Sequence, residues 1–144
     1  MLVRHIVSVN GKDVATAGPD ATIADAARLL KERNIGALVI TTDDGRLAGI
    51  LSERDLVRGL PEHGADLLAL KVKDRMTADV TTCSPDDRVD AIMKLMTEGR
   101  FRHLPVVEDG RLAGIVSIGD VVKSRLEELE SETTTLRQYI AGSA

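Results

Sequence analysis

Two short stretches pair a hydroxyl with a carboxylate at one spacing: Ser52-Glu53-Arg54-Asp55 and Ser117-Ile118-Gly119-Asp120. An apolar run precedes each serine and a helical pattern follows it, so each serine stands where a strand ends and a helix begins. The unpaired N–H groups and positive end of such a helix converge on one small volume that favours an anion. One turn on, the two aspartate oxygens can accept hydrogen bonds from the 2′ and 3′ hydroxyls of a ribose, which selects nucleosides over bare phosphate. The same spacing also spells a capping box, in which serine and aspartate satisfy each other's backbone N–H groups. Spacing alone leaves both readings open.

Other reactive residues point nowhere as definite. Cys83 and His103 could be drawn as thiol and base, but no third group is placed to orient them, and a lone cysteine at a strand end is usually a small core residue. His5, His63 and His103 have no metal-ligand spacing. The expectation is therefore a binding protein rather than an enzyme, with no resident metal and no obligatory cofactor. Net charge is −4 and the pI about 5.4, which disfavours a nucleic-acid partner. One cysteine, no apolar run of membrane-spanning length and no secretory leader pattern suggest a soluble cytoplasmic protein without membrane partners.

The elements that must position these groups are written twice. At an offset of 66, Val14, Thr16, Pro19-Asp20, Leu29 and Leu38 recur as Val80, Thr82, Pro85-Asp86, Leu95 and Leu104. After one extra residue, Gly45-Arg46-Leu47-Ala48-Gly49-Ile50 recurs letter for letter from Gly110 to Ile115. In each copy a short strand (Val14 to Ala17, Val80 to Cys83) precedes a helix with apolar residues at i, i+3, i+4 and i+7. These are Ile23, Ala26, Ala27 and Leu30, and then Val89, Ile92, Met93 and Met96. A hairpin follows, turning at Asp-Asp-Gly or Glu-Asp-Gly, and then the helix that opens after Ser52 or Ser117. The fold class expected is α/β (α+β), with two β-α-β-β-α units. Helices cover one face of each three-stranded sheet, so the units pack sheet to sheet and share a core. The divisions expected are 1–60 for the first unit with its lead-in, 61–71 for a linker broken by Gly64, 72–125 for the second unit and 126–144 for a helical tail.

At these residues the chain resembles the tandem CBS-domain, or Bateman, module. The resemblance runs from Asp13 to about Arg125. It is carried by Gly49-Ile50-Leu51-Ser52-Glu53-Arg54-Asp55 and Gly114-Ile115-Val116-Ser117-Ile118-Gly119-Asp120, with Leu104-Pro105-Val106-Val107 and the lead-in Val72-Lys73-Asp74-Arg75-Met76-Thr77. It implies a cleft with up to two nucleotide sites for AMP, ADP, ATP, NAD or S-adenosylmethionine. It also implies a homodimer, and regulation of a separate protein effector. Arg102-His103 hold a place where ligand-binding members carry a basic pair. Arg54 stands beside the first motif, so the basic groups are divided between the copies, and the second copy, with Arg102, His103, Ser117 and Asp120, is expected to dominate binding. The only aromatic residues are Phe101 and Tyr139, so the adenine must lie between aliphatic side chains. Thr82, Cys83 and Ile118, and Thr16, Ala17 and Ile35, are the candidates. The alternative is a ligand-independent dimeric adaptor whose motifs are only caps.

The tail has its own rhythm. Val122, Leu126, Leu129, Thr133, Leu136 and Ile140 are spaced 4, 3, 4, 3, 4, which suits either a short coiled coil or a helix lying back on its own domain.

Overall fold

The computed structural model describes residues 1–9 and 14–143. The apolar period that begins at Ile23 forms α2 (Ile23–Arg33), with Ile23, Ala26 and Leu30 buried along one face. Thr22 caps its start by accepting the Asp25 N–H at 3.1 Å, and Asn34 ends it at φ 53°. The second copy follows suit in α5 (Val89–Gly99), which buries Val89, Ile92 and Met96 and ends at Arg100 with φ 58°.

Each helix leads into a hairpin. β2 (Ala37–Thr41) pairs antiparallel with β3 (Leu47–Ser52), and β4 (His103–Glu108) with β5 (Arg111–Ser117). β1 (Thr16–Ala17) runs parallel to β2 and completes a three-stranded sheet in the first unit. The second unit has two strands, and the expected strand from Val80 to Cys83 shrinks to one bridge between Cys83 and Val106. Pro105 explains the difference. In the first copy the Val39 N–H donates to the Ala15 carbonyl at 3.4 Å. Pro105 occupies the place of Val39 and has no N–H, so the matching bond cannot form.

α3 (Glu53–His63) follows β3, and α6 (Ile118–Ser143) follows β5. α3 runs through Pro61, where a linker was expected, and Gly64 at φ 56° ends it. A 3-10 helix (Gly64–Ala69) then carries Leu67 into the core, and α4 (Val72–Arg75) follows.

The apolar side chains gather in two clusters instead of one shared core. Val72, which by sequence leads into the second unit, is fully buried in the first with Ile23, Leu38, Ile40 and Leu51. Val3 and Ile6 of α1 (Val3–Val9), which precede the first unit, are buried in the second with Val89, Leu104 and Val116. Matched backbone bonds fix the exchange. Val72 N–H donates to the Ala21 carbonyl and Ile23 N–H to that of Leu70, both at 2.8 Å; Val3 N–H donates to Asp87 and Val89 N–H to Met1, both at 2.9 Å. The repeated glycines admit the crossing segments. A Cβ at Gly49 would stand 2.6 Å from the Thr77 carbonyl oxygen, and one at Gly114 would stand 2.7 Å from Cγ1 of Val7.

The tail does not fold back on its own domain. Val121 and Ser124 of α6 are buried, whereas Leu126, Leu129, Leu136 and Ile140 are exposed.

If the lead-in is core, Ile6→Ala will cost about 2–5 kcal/mol of unfolding free energy in a denaturant titration. A lead-in lying outside the core would limit the change to about 0.5 kcal/mol.

Candidate ligand clefts between the units

The capping boxes are made. In the first copy the Ser52 N–H donates to Oδ2 of Asp55 at 2.8 Å, and the Asp55 N–H reaches the Ser52 hydroxyl at 3.4 Å. In the second, the Ser117 N–H donates to Oδ2 of Asp120 at 3.2 Å and the Asp120 N–H reaches the Ser117 hydroxyl at 3.1 Å. The first N–H of each helix is also taken. Glu53 donates to the Gly36 carbonyl at 3.0 Å and Ile118 to that of Arg102 at 2.8 Å. Capping therefore occupies part of the expected anion site. Among the described residues, no hydrogen bond engages Oδ1 of either aspartate, so one oxygen of each carboxylate remains for a ligand.

Each aspartate faces a cleft built from both copies. The larger cleft, about 570 Å³, holds Ser117, Asp120, Gly114 and Ile115 on one side. Val14, Ala15, Ile35, Gly36 and Ala37 of the first copy lie across from them, with Arg33 and with Val7 of α1. The second cleft, about 420 Å³, reverses the roles. Ser52, Glu53, Arg54, Asp55 and Arg58 face Arg100, Phe101, Arg102 and His103. Gly36 and His103 line both clefts. A Cβ on Gly36 would stand 3.7 Å from the His103 ring, so these two residues form the partition.

The clefts differ in charge, and one four-residue stretch supplies half of the difference in arginines. Asn34-Ile35-Gly36-Ala37 of the first copy correspond to Arg100-Phe101-Arg102-His103 of the second. The Asp55 cleft thus gathers four guanidinium groups, from Arg54, Arg58, Arg100 and Arg102, against two carboxylates, from Glu53 and Asp55. Among the described residues, the Asp120 cleft has Arg33 as its one guanidinium, and an otherwise mostly aliphatic wall. With the cap, first and third amides of each helix engaged internally, arginines are the main groups able to neutralise a phosphate.

Several expected site residues stand elsewhere. Arg102 opens onto the Asp55 cleft, so it does not join Ser117 and Asp120 in one dominant second-copy site. Thr16 and Thr82 are exposed and line neither cleft. Cys83 is buried in the core of the second unit, where burial first and Asp87 second push its thiol up to about 12, so it is not a nucleophile at neutral pH. Ile118 packs partly against that core and also lies outside both clefts. Ile35 does line the larger cleft, and Val14 and Ala15 line it where Thr16 was expected. Arg33 and Arg58 lie on exposed helical stretches and Arg100 at an exposed helix end, where the chain reads only as solvated charge. Placing Arg100 beside the aligned Asn34 would have flagged it.

The model of the CBS domain family matches residues 3–62 and 72–127. The chain belongs to the CBS-domain family. A solved CBS-domain containing protein, ATU1752 from Agrobacterium tumefaciens, is 48% identical with a TM-score of 0.82 over 87% of this chain and 99% of that one. The CBS domain pair of protein MJ0100, solved in complex with 5′-methylthioadenosine and S-adenosyl-L-methionine, is 30% identical with a TM-score of 0.76, over 90% and 98% of the two chains. CBS domain-containing protein CBSX3, mitochondrial, of Arabidopsis thaliana is 39% identical over 85% of this chain. The chain spans 62% of the length of that plant protein. Among the described residues no helix is long and apolar enough to cross a membrane.

His103 provides a pH test of this CBS pair. Burial lowers its pKa most, with Arg102 acting in the same sense, while Asp120 and Glu53 oppose them. A histidine whose folded pKa lies below its unfolded value stabilises the fold fully above about 6.5, and that contribution fades as pH falls from there through the folded pKa. An NMR titration will place the His103 midpoint below about 6.5; a midpoint above it would contradict the buried setting.

Proposed function

We propose that this CBS pair is a sensor of adenine nucleotides that acts on a separate protein effector. The single observation that carries the reading is the pair of clefts in which Asp120 and Asp55, each bonded in its capping box through Oδ2, line a space shared with residues of the opposite copy. Oδ1 of Asp55 or Asp120 accepts the ribose hydroxyls, and aliphatic side chains such as Ile35, Ile50 and Ile115 flank the base. The arginine-rich Asp55 cleft takes the phosphates, with AMP as the first candidate and ADP, ATP or NAD as the others. The Asp120 cleft, with little positive charge, suits an adenosine bearing little negative charge, the chemistry of the two ligands on the MJ0100 pair.

Because each cleft spans both units, occupancy changes the angle between them and hence the surface offered to the effector. The reading is of a regulatory homodimer that does no catalysis. A lone buried thiol suits a reducing compartment such as the cytoplasm. The completed capping boxes favour one alternative, a ligand-independent adaptor in which Asp55 and Asp120 only stabilise helix starts.

Calorimetry with AMP, ADP, ATP, NAD and S-adenosylmethionine separates the two. At about 0.3 kcal/mol per non-hydrogen atom, AMP binds with a Kd on the order of 10 μM. Arg102→Ala weakens the phosphorylated ligands about tenfold, and Asp55→Ala removes most of their binding. No heat from any of the five at millimolar concentration, with Asp55→Ala costing only about 1 kcal/mol of stability, would favour the adaptor.

A further inference from the structure

We propose that α6 is the dimerisation device, pairing with the α6 of a second copy as a parallel, in-register coiled coil. The helix is 26 residues long, about 39 Å at 1.5 Å per residue. Its first turns use one face, Val121 and Ser124, on their own domain. The opposite face carries Val122, Leu126, Leu129, Leu136 and Ile140, which are 42–62% exposed. Thr133 fills the one remaining position of this seam. The domain therefore lies behind the helix and leaves its apolar side open to a partner. Beyond Glu130 every residue whose side chain is described is exposed, and a solvated stretch of about a dozen residues is marginal as an isolated helix.

Charge identifies both the partner and its direction. With Leu126, Thr133 and Ile140 at a and Val122, Leu129 and Leu136 at d, the flanking g positions are Arg125, Glu132 and Tyr139. The e positions are Lys123, Glu130 and Arg137. In a parallel pair each g residue meets the e residue five positions on in the partner. Arg125 then faces the partner's Glu130, and Glu132 faces the partner's Arg137, each contact occurring twice by symmetry. The antiparallel arrangement that aligns all six layers would set Glu132 against the partner's Glu132, Glu130 against the partner's Glu130, and Lys123 against the partner's Arg137. The helix is thus complementary to itself in one direction and self-repelling in the other. Arg125 already bridges Glu128 at 2.9 Å along its own helix, so the Glu132–Arg137 pair makes the cleaner test.

The experiment is sedimentation equilibrium of the full chain and three variants at low salt. Leu136→Glu, at an exposed seam position, is expected to convert dimer to monomer. Arg137→Glu places two like-charge pairs across a parallel interface and is expected to weaken the dimer about tenfold. The exchange Glu132→Arg with Arg137→Glu is expected to restore it. A monomeric wild type, or a dimer indifferent to Leu136→Glu, overturns the proposal. A dimer tightened by Arg137→Glu overturns the parallel orientation, because only the antiparallel pair gains from that change. Circular dichroism of each variant checks that the fold is retained.

Discussion

The exchange of lead-in segments holds the molecule together. Each β-α-β-β-α unit is near the size at which a single core is marginal, and each is completed by a helix that sequence order assigns to the other copy. Val72 seals the first core and Val3 the second, through backbone bonds that match pair for pair. A unit cannot lose its partner without losing its own lid. The exchange also sets the clefts, since Val7 of α1 lies against Gly114 and borders the Asp120 side, while Thr77, just past α4, borders the Asp55 side.

On this repeated frame the charge of the two clefts is made asymmetric by a few positions, Arg54 and the stretch Arg100 to His103 among them. The helix and hairpin follow the same backbone course in both copies, down to a left-handed residue at Asn34 and at Arg100. The side chains that follow replace a small apolar entrance with Phe101, Arg102 and His103. Duplication supplies two similar clefts, and local substitution makes one cationic and leaves the other nearly neutral. His103 and Gly36 stand between them, so a ligand in either cleft touches the wall of the other.

Much of this is legible in the chain. The helical period from Ile23 and from Val89, the two hairpin turns and the two Ser-x-x-Asp junctions are local patterns, and local patterns survive folding. The crossing of the lead-ins is not local. Val72 and Val3 read as ordinary apolar residues near short helices, and no period says which core will receive them. The lost third strand was readable in principle, because Pro105 stands where a donor is required. The reach of the adenine candidates was misjudged by one or two residues. In a strand that error moves a side chain to the other face, which is why Thr16 faces solvent while Ala15 faces the cleft. The charge of the Asp55 cleft was hidden because its arginines come from two stretches far apart in the chain, Arg54 with Arg58 and Arg100 with Arg102.

The claim on which the rest turns is that each cleft is shared between the copies. Amide NMR on the ¹⁵N-labelled protein during an AMP titration tests it most directly. If the clefts are crossed, Ser52 to Asp55 and Arg100 to His103 shift together with one binding curve, although nearly fifty residues separate them in the chain. Shifts confined to one copy, or none at millimolar AMP, would contradict the account.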